Sequence, residues 1–194
     1  MTRYFYDCEF IEDGRTIDLI SIGIVSSDGR EYYAVNHEMP IDRIKEHDWL
    51  VRNVVPSLPV TGRNSLDDYL KQSPSHFPRP SLSMVDIDAK DTSVKPKFVI
   101  ANEVRDFVLA AEDPELWAYY AAYDHVALCQ LFGPMLALPK GMPMWTHDLM
   151  QVWGQAGKPE KPAQDGNVHN ALDDARWNQK LYAACQTTQP EGDR

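Results

Sequence analysis

Three segments rich in aromatic and β-branched residues fill the first 36 positions of this 194-residue chain: 3–9 (RYFYDCE), 17–25 (IDLISIGIV) and 31–36 (EYYAVN). Turn signals separate them at Glu12-Asp13-Gly14-Arg15 and Ser27-Asp28-Gly29. Runs of this kind joined by short loops form consecutive antiparallel strands. The period then changes. Pro40 opens a helical pattern through Ile41, Ile44, Leu50, Val51 and Val54 that Pro56 closes.

Residues 56–97 hold Pro56, Pro59, Pro74, Pro78, Pro80 and Pro96 among many Ser and Asp, and read as a long irregular insertion with a short helix near 65–70. The insertion has too few apolar residues for a core of its own. Order resumes where Ile100, Val104, Phe107, Val108 and Ala111 fall at helical spacing. Residues 115–122 (ELWAYYAA) read as a buried strand, and 124–132 as a helix stopped by Gly133-Pro134. Residues 144–153 fit either a helix or a strand, and a final helix covers about 170–185. Three strands and a helix, then a helix, a strand and further helices, make an α/β sandwich around a mixed central sheet flanked by helices. At this length a single domain is expected over 1–186, with the Pro-rich insertion at about 56–97 and a flexible tail at 187–194.

Composition narrows the function classes. No apolar run approaches the ~18 residues a membrane span requires, and the N-terminal MTRYFYDCEF places a carboxylate where a signal peptide needs its apolar segment. Cys8, Cys129 and Cys185 are too few and too far apart for a disulfide framework. A cytoplasmic protein without a membrane partner is expected. The formal charge is −10, and it is uneven: residues 1–39 carry three basic and eight acidic side chains, 40–97 nine and eight, and 98–194 seven and thirteen. A protein that grips nucleic acid by phosphate neutralisation alone would be basic. Acidic outer thirds suit a cation instead.

The candidate site residues lie in those outer thirds. Asp7-Cys8-Glu9 puts two carboxylates on one face of the first strand, about 7 Å apart, a costly arrangement unless solvent or a cation relieves it. Asp124 follows the apolar run LWAYYAAY, at a strand end of the kind where α/β proteins place their sites; an Asp here also suits a helix N-cap. In His169-Asn170-Ala171-Leu172-Asp173-Asp174 the histidine and Asp174 would point ~140° apart on one helix. They converge only if His169 sits in the loop and the helix starts after it, with Asn170 as cap. Asp173 reads as an exposed first-turn acid stabilised by the helix dipole.

In this order and on these elements, Asp7-x-Glu9, Asp124, His169 and Asp174 resemble the DEDDh (DnaQ-like, RNase T-like) 3′–5′ exonucleases of the ribonuclease H-like fold. The stretches YFYDCEFIEDGRTIDLISIGIVSSDGREYYAV, LWAYYAAYDHVALCQLFGPMLALP and VHNALDDAR look like the actinobacterial polyadenylate-specific 3′-exoribonuclease AS group and cover about half of the chain. The resemblance implies a ribonuclease H-like fold and 3′–5′ exoribonuclease activity on single-stranded or 3′-overhang RNA, with a leaning towards adenine-rich ends. It further implies two Mg²⁺ or Mn²⁺ ions on Asp7, Glu9, Asp124 and Asp174, with His169 as general base and nucleoside 5′-monophosphates as products. Phe10, Ile11, Tyr120 and Tyr123 stand where relatives hold the 3′-terminal nucleotide, although Phe10-Ile11 replaces a Thr-Thr-Gly-like run and Tyr120 an Asn. Phe10 would either stack on a base or pack as a phenylalanine of the core or its rim. Asp148 reads as structural, and a homodimer is expected.

Three other readings compete. A DNA-trimming exonuclease would use the same five residues. A non-catalytic module binding RNA or protein would be expected to have lost at least one of them. A single-iron oxygenase would need His125 and His169 to meet beside a carboxylate.

Overall fold

The computed structural model describes residues 1–75 and 77–187. Strands β1 (Thr2–Glu12), β2 (Ile17–Ser26) and β3 (Glu31–Asn36) form the expected antiparallel meander. Its first turn is locked by the Asp13 carboxylate, which accepts from the amides of Arg15 and Thr16 at 3.0 and 2.8 Å. The helical pattern after Pro40 splits into α1 (Ile41–Glu46) and α2 (Asp48–Asn53), because His47 is extended and its ring accepts the Leu50 amide as the cap of α2. A 3₁₀ turn, Val55–Ser57, follows.

The Pro-rich segment is more regular than its composition suggests. It carries β4 (Val60–Thr61), α3 (Arg63–Leu70), β5 (Asp86–Ile87) and β6 (Val94–Lys95). Next come α4 (Lys97–Leu109), β7 (Pro114–Ala118), α5 (Ala122–Gln130), β8 (His147–Asp148), α6 (Leu149–Gln155) and α7 (Ala171–Thr187). Residues 144–153 thus hold both a two-residue strand and the start of a helix. The tail expected after α7 lies outside the described residues from 188 on.

The main sheet runs β6-β3-β2-β1-β7-β8, with the meander antiparallel and β6, β7 and β8 parallel to their inner neighbours. It is an α/β fold with a mixed central sheet flanked by helices, consistent with the ribonuclease H-like class. Alternation along β1 assigns the layers. Tyr4, Tyr6 and Cys8 pack with Ile100, Val104 and Val108 of α4 and Ala127 and Leu128 of α5. Phe5 faces the other way, towards Trp117, Leu149 of α6 and Leu181 of α7. A further cluster joins Ile11, Ile20 and Val35 to Ile44, Leu50, Leu58, Leu66 and Val85, so the Pro-rich segment completes the main core. Each fully buried aliphatic side chain there contributes about 1.5–3 kcal/mol.

Two local features of this frame place α7 and Asp124 against the sheet. Gly23 of β2 lies directly beneath the start of α7, where a Cβ would stand 2.3 Å from the Leu172 amide nitrogen. The expected strand at 115–122 leaves the sheet already at Ala118, and Tyr120 turns the chain with a left-handed φ of 57°. Asp124 therefore falls inside the first turn of α5 rather than at its cap, which Ala121 occupies. Among the described residues no helix is long and apolar enough to cross a membrane.

Candidate active site

β1 offers Asp7 and Glu9 to the face that α7 covers. Because β7 pairs with β1 only as far as Phe5↔Trp117, the amide of Cys8 needs another acceptor, and Asp124 Oδ1 takes it at 2.8 Å. That bond draws the first turn of α5 to β1. From the opposite side, Asn178 Nδ2 donates to the Tyr6 carbonyl at 2.9 Å and fixes α7 on the same strand. Asp174, in the first turn of α7, accepts the His169 amide at 3.0 Å and the Gln164 side-chain amide.

His169 lies in the loop before α7, as convergence with Asp174 requires, and Asn170 accepts the amides of Leu172 and Asp173 as the cap. Its backbone is left-handed, with φ 65°. One ligand atom each from Glu9, His169 and Asp174 lies within 4.8 Å of the others. Asp7 and Asp124 line the same cleft, of about 480 Å³, so the five polar residues singled out by sequence share one site.

The electrostatics of this group are those of an acid cluster lacking countercharge. No Lys or Arg pairs with any of the four carboxylates among the described residues. Burial, followed by the charges of Asp174 and Asp124, pushes Glu9 up to about 8. Burial and then Asp124, Glu9 and Asp174 raise Asp7 well above the usual carboxylate range. Asp124 rises to about 7, chiefly through burial, although the Cys8 amide bond opposes this. Asp174 is also raised by burial, against the bonds from Gln164 and His169.

Around the acids the cleft is aromatic. Phe10 stacks on Tyr123 with ring centroids 5.9 Å apart and planes 11° apart. Tyr120 and Tyr123 are 61% and 53% exposed, and both line the cleft with Phe10. Ile11 is a correction. It is 5% exposed and packs among Ile20, Val35, Met39 and Leu50, because further along β1 the same face is covered by α1, α2 and the Pro-rich segment. It therefore does not line the cleft. Lining residues outside the motifs include Trp49, whose ring meets His169 edge-on at 4.8 Å, and Gln164. Asp148 caps α6 by accepting the Met150 amide at 2.8 Å, the structural role expected of it. His125 bonds Thr146 and the Met144 carbonyl, each at 3.0 Å, and lines no part of this cleft, so the two-histidine iron arrangement does not form.

A family model described as the 3′-5′ exoribonuclease Rv2179c-like domain matches residues 83–186, a span that contains Asp124, His169 and Asp174. The 3′-5′ exoribonucleases MT2234.1 and Rv2179c, from the CDC 1551 / Oshkosh and ATCC 25618 / H37Rv strains of Mycobacterium tuberculosis, are each 40% identical to this chain over 190 residues. The alignments cover 98% of this chain and 96% of theirs. The chain belongs to the Rv2179c-like 3′–5′ exoribonuclease family. Within that family match, α5 brings Asp124 and α7 brings Asp174 to a strand that the family model does not span but the full-length alignments do.

Proposed function

We propose that this member of the exoribonuclease family works in the DEDDh manner. It would remove nucleoside 5′-monophosphates from a free RNA 3′ end with two divalent cations, Mg²⁺ or Mn²⁺, held by Asp7, Glu9, Asp124 and Asp174. The observation that carries this reading is the convergence of four carboxyl groups and one imidazole in one cleft, with no Lys or Arg paired to the acids among the described residues. The donor set fits such ions. Hard oxygen ligands suit Mg²⁺ and Mn²⁺, and the charges that act on Asp7 and Glu9 to raise them are those of the neighbouring carboxylates. Four carboxylates and two divalent cations sum to near neutrality, which admits a phosphodiester to an acidic protein. When bound, the cations supply Lewis-acid polarisation of the phosphoryl group and easier deprotonation of water.

The chain's own groups do the rest. His169 takes the proton of the attacking water, a task suited to an imidazole at neutral pH. Asp124 stays oriented by the Cys8 amide, and Asp174 by Gln164 and the His169 amide. Phe10, Tyr120 and Tyr123 give the terminal bases aromatic faces, a grip that tolerates sequence. The reading places the enzyme in the cytoplasm, where cysteines stay reduced, as a homodimer acting on single-stranded or 3′-overhang RNA.

The test is a time course on a 5′-labelled RNA duplex with an adenine-rich 3′ overhang, with Mg²⁺ or Mn²⁺, beside Asp7→Ala and a matching DNA. A ladder that shortens from the 3′ end of RNA and vanishes in the variant is expected. Trimming of DNA alone would move the substrate class. Intact RNA and DNA with every metal would leave a binding module of the same fold.

A further inference from the structure

We propose that Trp49 and Ser57 are positioning residues that hold the His169 imidazole in its working orientation. The inference rests on the reading of His169 as general base. His169 has a left-handed backbone, with φ 65°, a conformation uncommon outside Gly that His tolerates better than most side chains, and which the surrounding contacts here hold in place. Three contacts converge here. The amide of His169 donates to Asp174 Oδ2 at 3.0 Å. The Ser57 hydroxyl reaches its carbonyl at 2.9 Å. The Trp49 ring lies edge-on to the imidazole at 4.8 Å and 73°. The first ties the base to a carboxylate of the site. The other two come from the stretch formed by α2 and the 3₁₀ turn that follows it.

That element is built to hold still. Leu50 and Val51 of α2 and Val54 and Val55 behind it are buried in the core shared with the Pro-rich segment. Trp49, between them and the cleft, stays 48% exposed. The Asn53 side chain donates to the Trp49 carbonyl at 2.8 Å, and the Ser57 hydroxyl also lies 2.8 Å from the Val54 carbonyl, so one proton serves two acceptors. The base thus sits between two rigid bodies, α7 and the α2 turn, rather than at the end of a free loop. A general base works only within hydrogen-bond reach of the proton it removes, and small misplacements are expensive in rate.

Steady-state kinetics on the RNA substrate test this. Ser57→Ala and Trp49→Ala should each lower kcat by about tenfold and leave KM within about twofold, while Trp49→Phe, which keeps an aromatic edge, should recover most of the loss. In a His169→Ala background neither substitution should lower the residual rate further, since a positioning residue has nothing left to position. Unchanged kcat in the single variants, a loss carried by KM, or the same loss persisting without His169 would each overturn the proposal. If His169→Ala itself left kcat intact, the assignment of the base would be what failed. A preserved rise in Tm on adding Mn²⁺ shows that each variant is folded around its acid cluster. Ser57→Ala, which removes one hydroxyl, carries the test should Trp49→Ala not fold.

Discussion

Glu9 shows how one residue couples the site to pH. Its carboxyl is pushed up to about 8 by burial and by Asp174 and Asp124, from an ordinary value of 4.5. In the unfolded chain it ionises near that ordinary value, so between about pH 4.5 and 8 the folded state binds the proton more tightly. Its contribution to stability is fully present below the lower value and is lost as pH rises through the upper one. Metal-free protein should therefore lose Tm between pH 5 and 8 relative to Glu9→Gln, whose side chain is neutral throughout, and saturating Mn²⁺ should remove the divergence. Thermal melts of both proteins in chelator across that range check it, and parallel curves would refute it. The acids and the histidine were singled out in the sequence by their order along the chain and the family resemblance it carries, since each motif alone has an ordinary reading, a wet strand face or a helix cap. Trp49 and Ser57 were not. Their roles come from contacts across the chain, Ser57 and His169 lying 112 residues apart, and no period or spacing records such a contact. The burial of Ile11 away from the cleft was illegible for a related reason, since alternation gives its face but not what covers that face further along.

Among the elements, the crossing of α7 over the sheet decides whether Asp174 reaches β1. That crossing depends on Gly23. A Cβ there would lie 2.3–2.4 Å from backbone atoms of Ala171 and Leu172, which have no side-chain freedom with which to yield. Gly23→Ala should cost about 3 kcal/mol, the upper range for an overpacked site. It should also lower kcat far more than Asp173→Ala, because it lifts the first turn of α7 with Asp174 and the His169 amide bond. Urea denaturation together with turnover measures both effects, and a fall in stability with unchanged kcat would show that the helix start does not set the site. The meander itself was readable to within a few residues, since its alternation and turns are local. The ends of elements were less so. β7 stops at Ala118 because Tyr120 adopts φ 57°, and α1 parts from α2 because the His47 ring competes for the Leu50 amide. Both are decisions of single residues that periodicity averages away.

At the scale of the whole molecule, the chain holds a net −10 and gathers four acids in one cleft. A fold that buries like charges leaves stability to be recovered by whatever neutralises them. This explains why sequence could give the layers but not how they close: β6 and β8 are two residues each and join the sheet only through non-local pairing, and the Pro-rich segment gains its order by filling the core beneath β3. On the proposed reading cation binding would act on that entire assembly, because the carboxylates come from β1, α5 and α7 and are dispersed in the unfolded chain. At a free ion concentration about 100-fold above Kd, one site adds about 2.7 kcal/mol, which for a domain of this size is about 5–10 °C in Tm. Because protons compete for the same oxygens, the rise at a fixed Mn²⁺ concentration should be larger at pH 8 than at pH 6. Asp7→Asn and Asp174→Asn, each removing one proposed ligand charge, should shrink it, whereas Asp68→Asn, an exposed acid of α3 paired with Lys71 and outside the cleft, should leave it within about 2 °C of the unmodified protein. Differential scanning fluorimetry across metal and pH gives all four values, and an equal rise in every variant would place the ions somewhere other than these carboxylates.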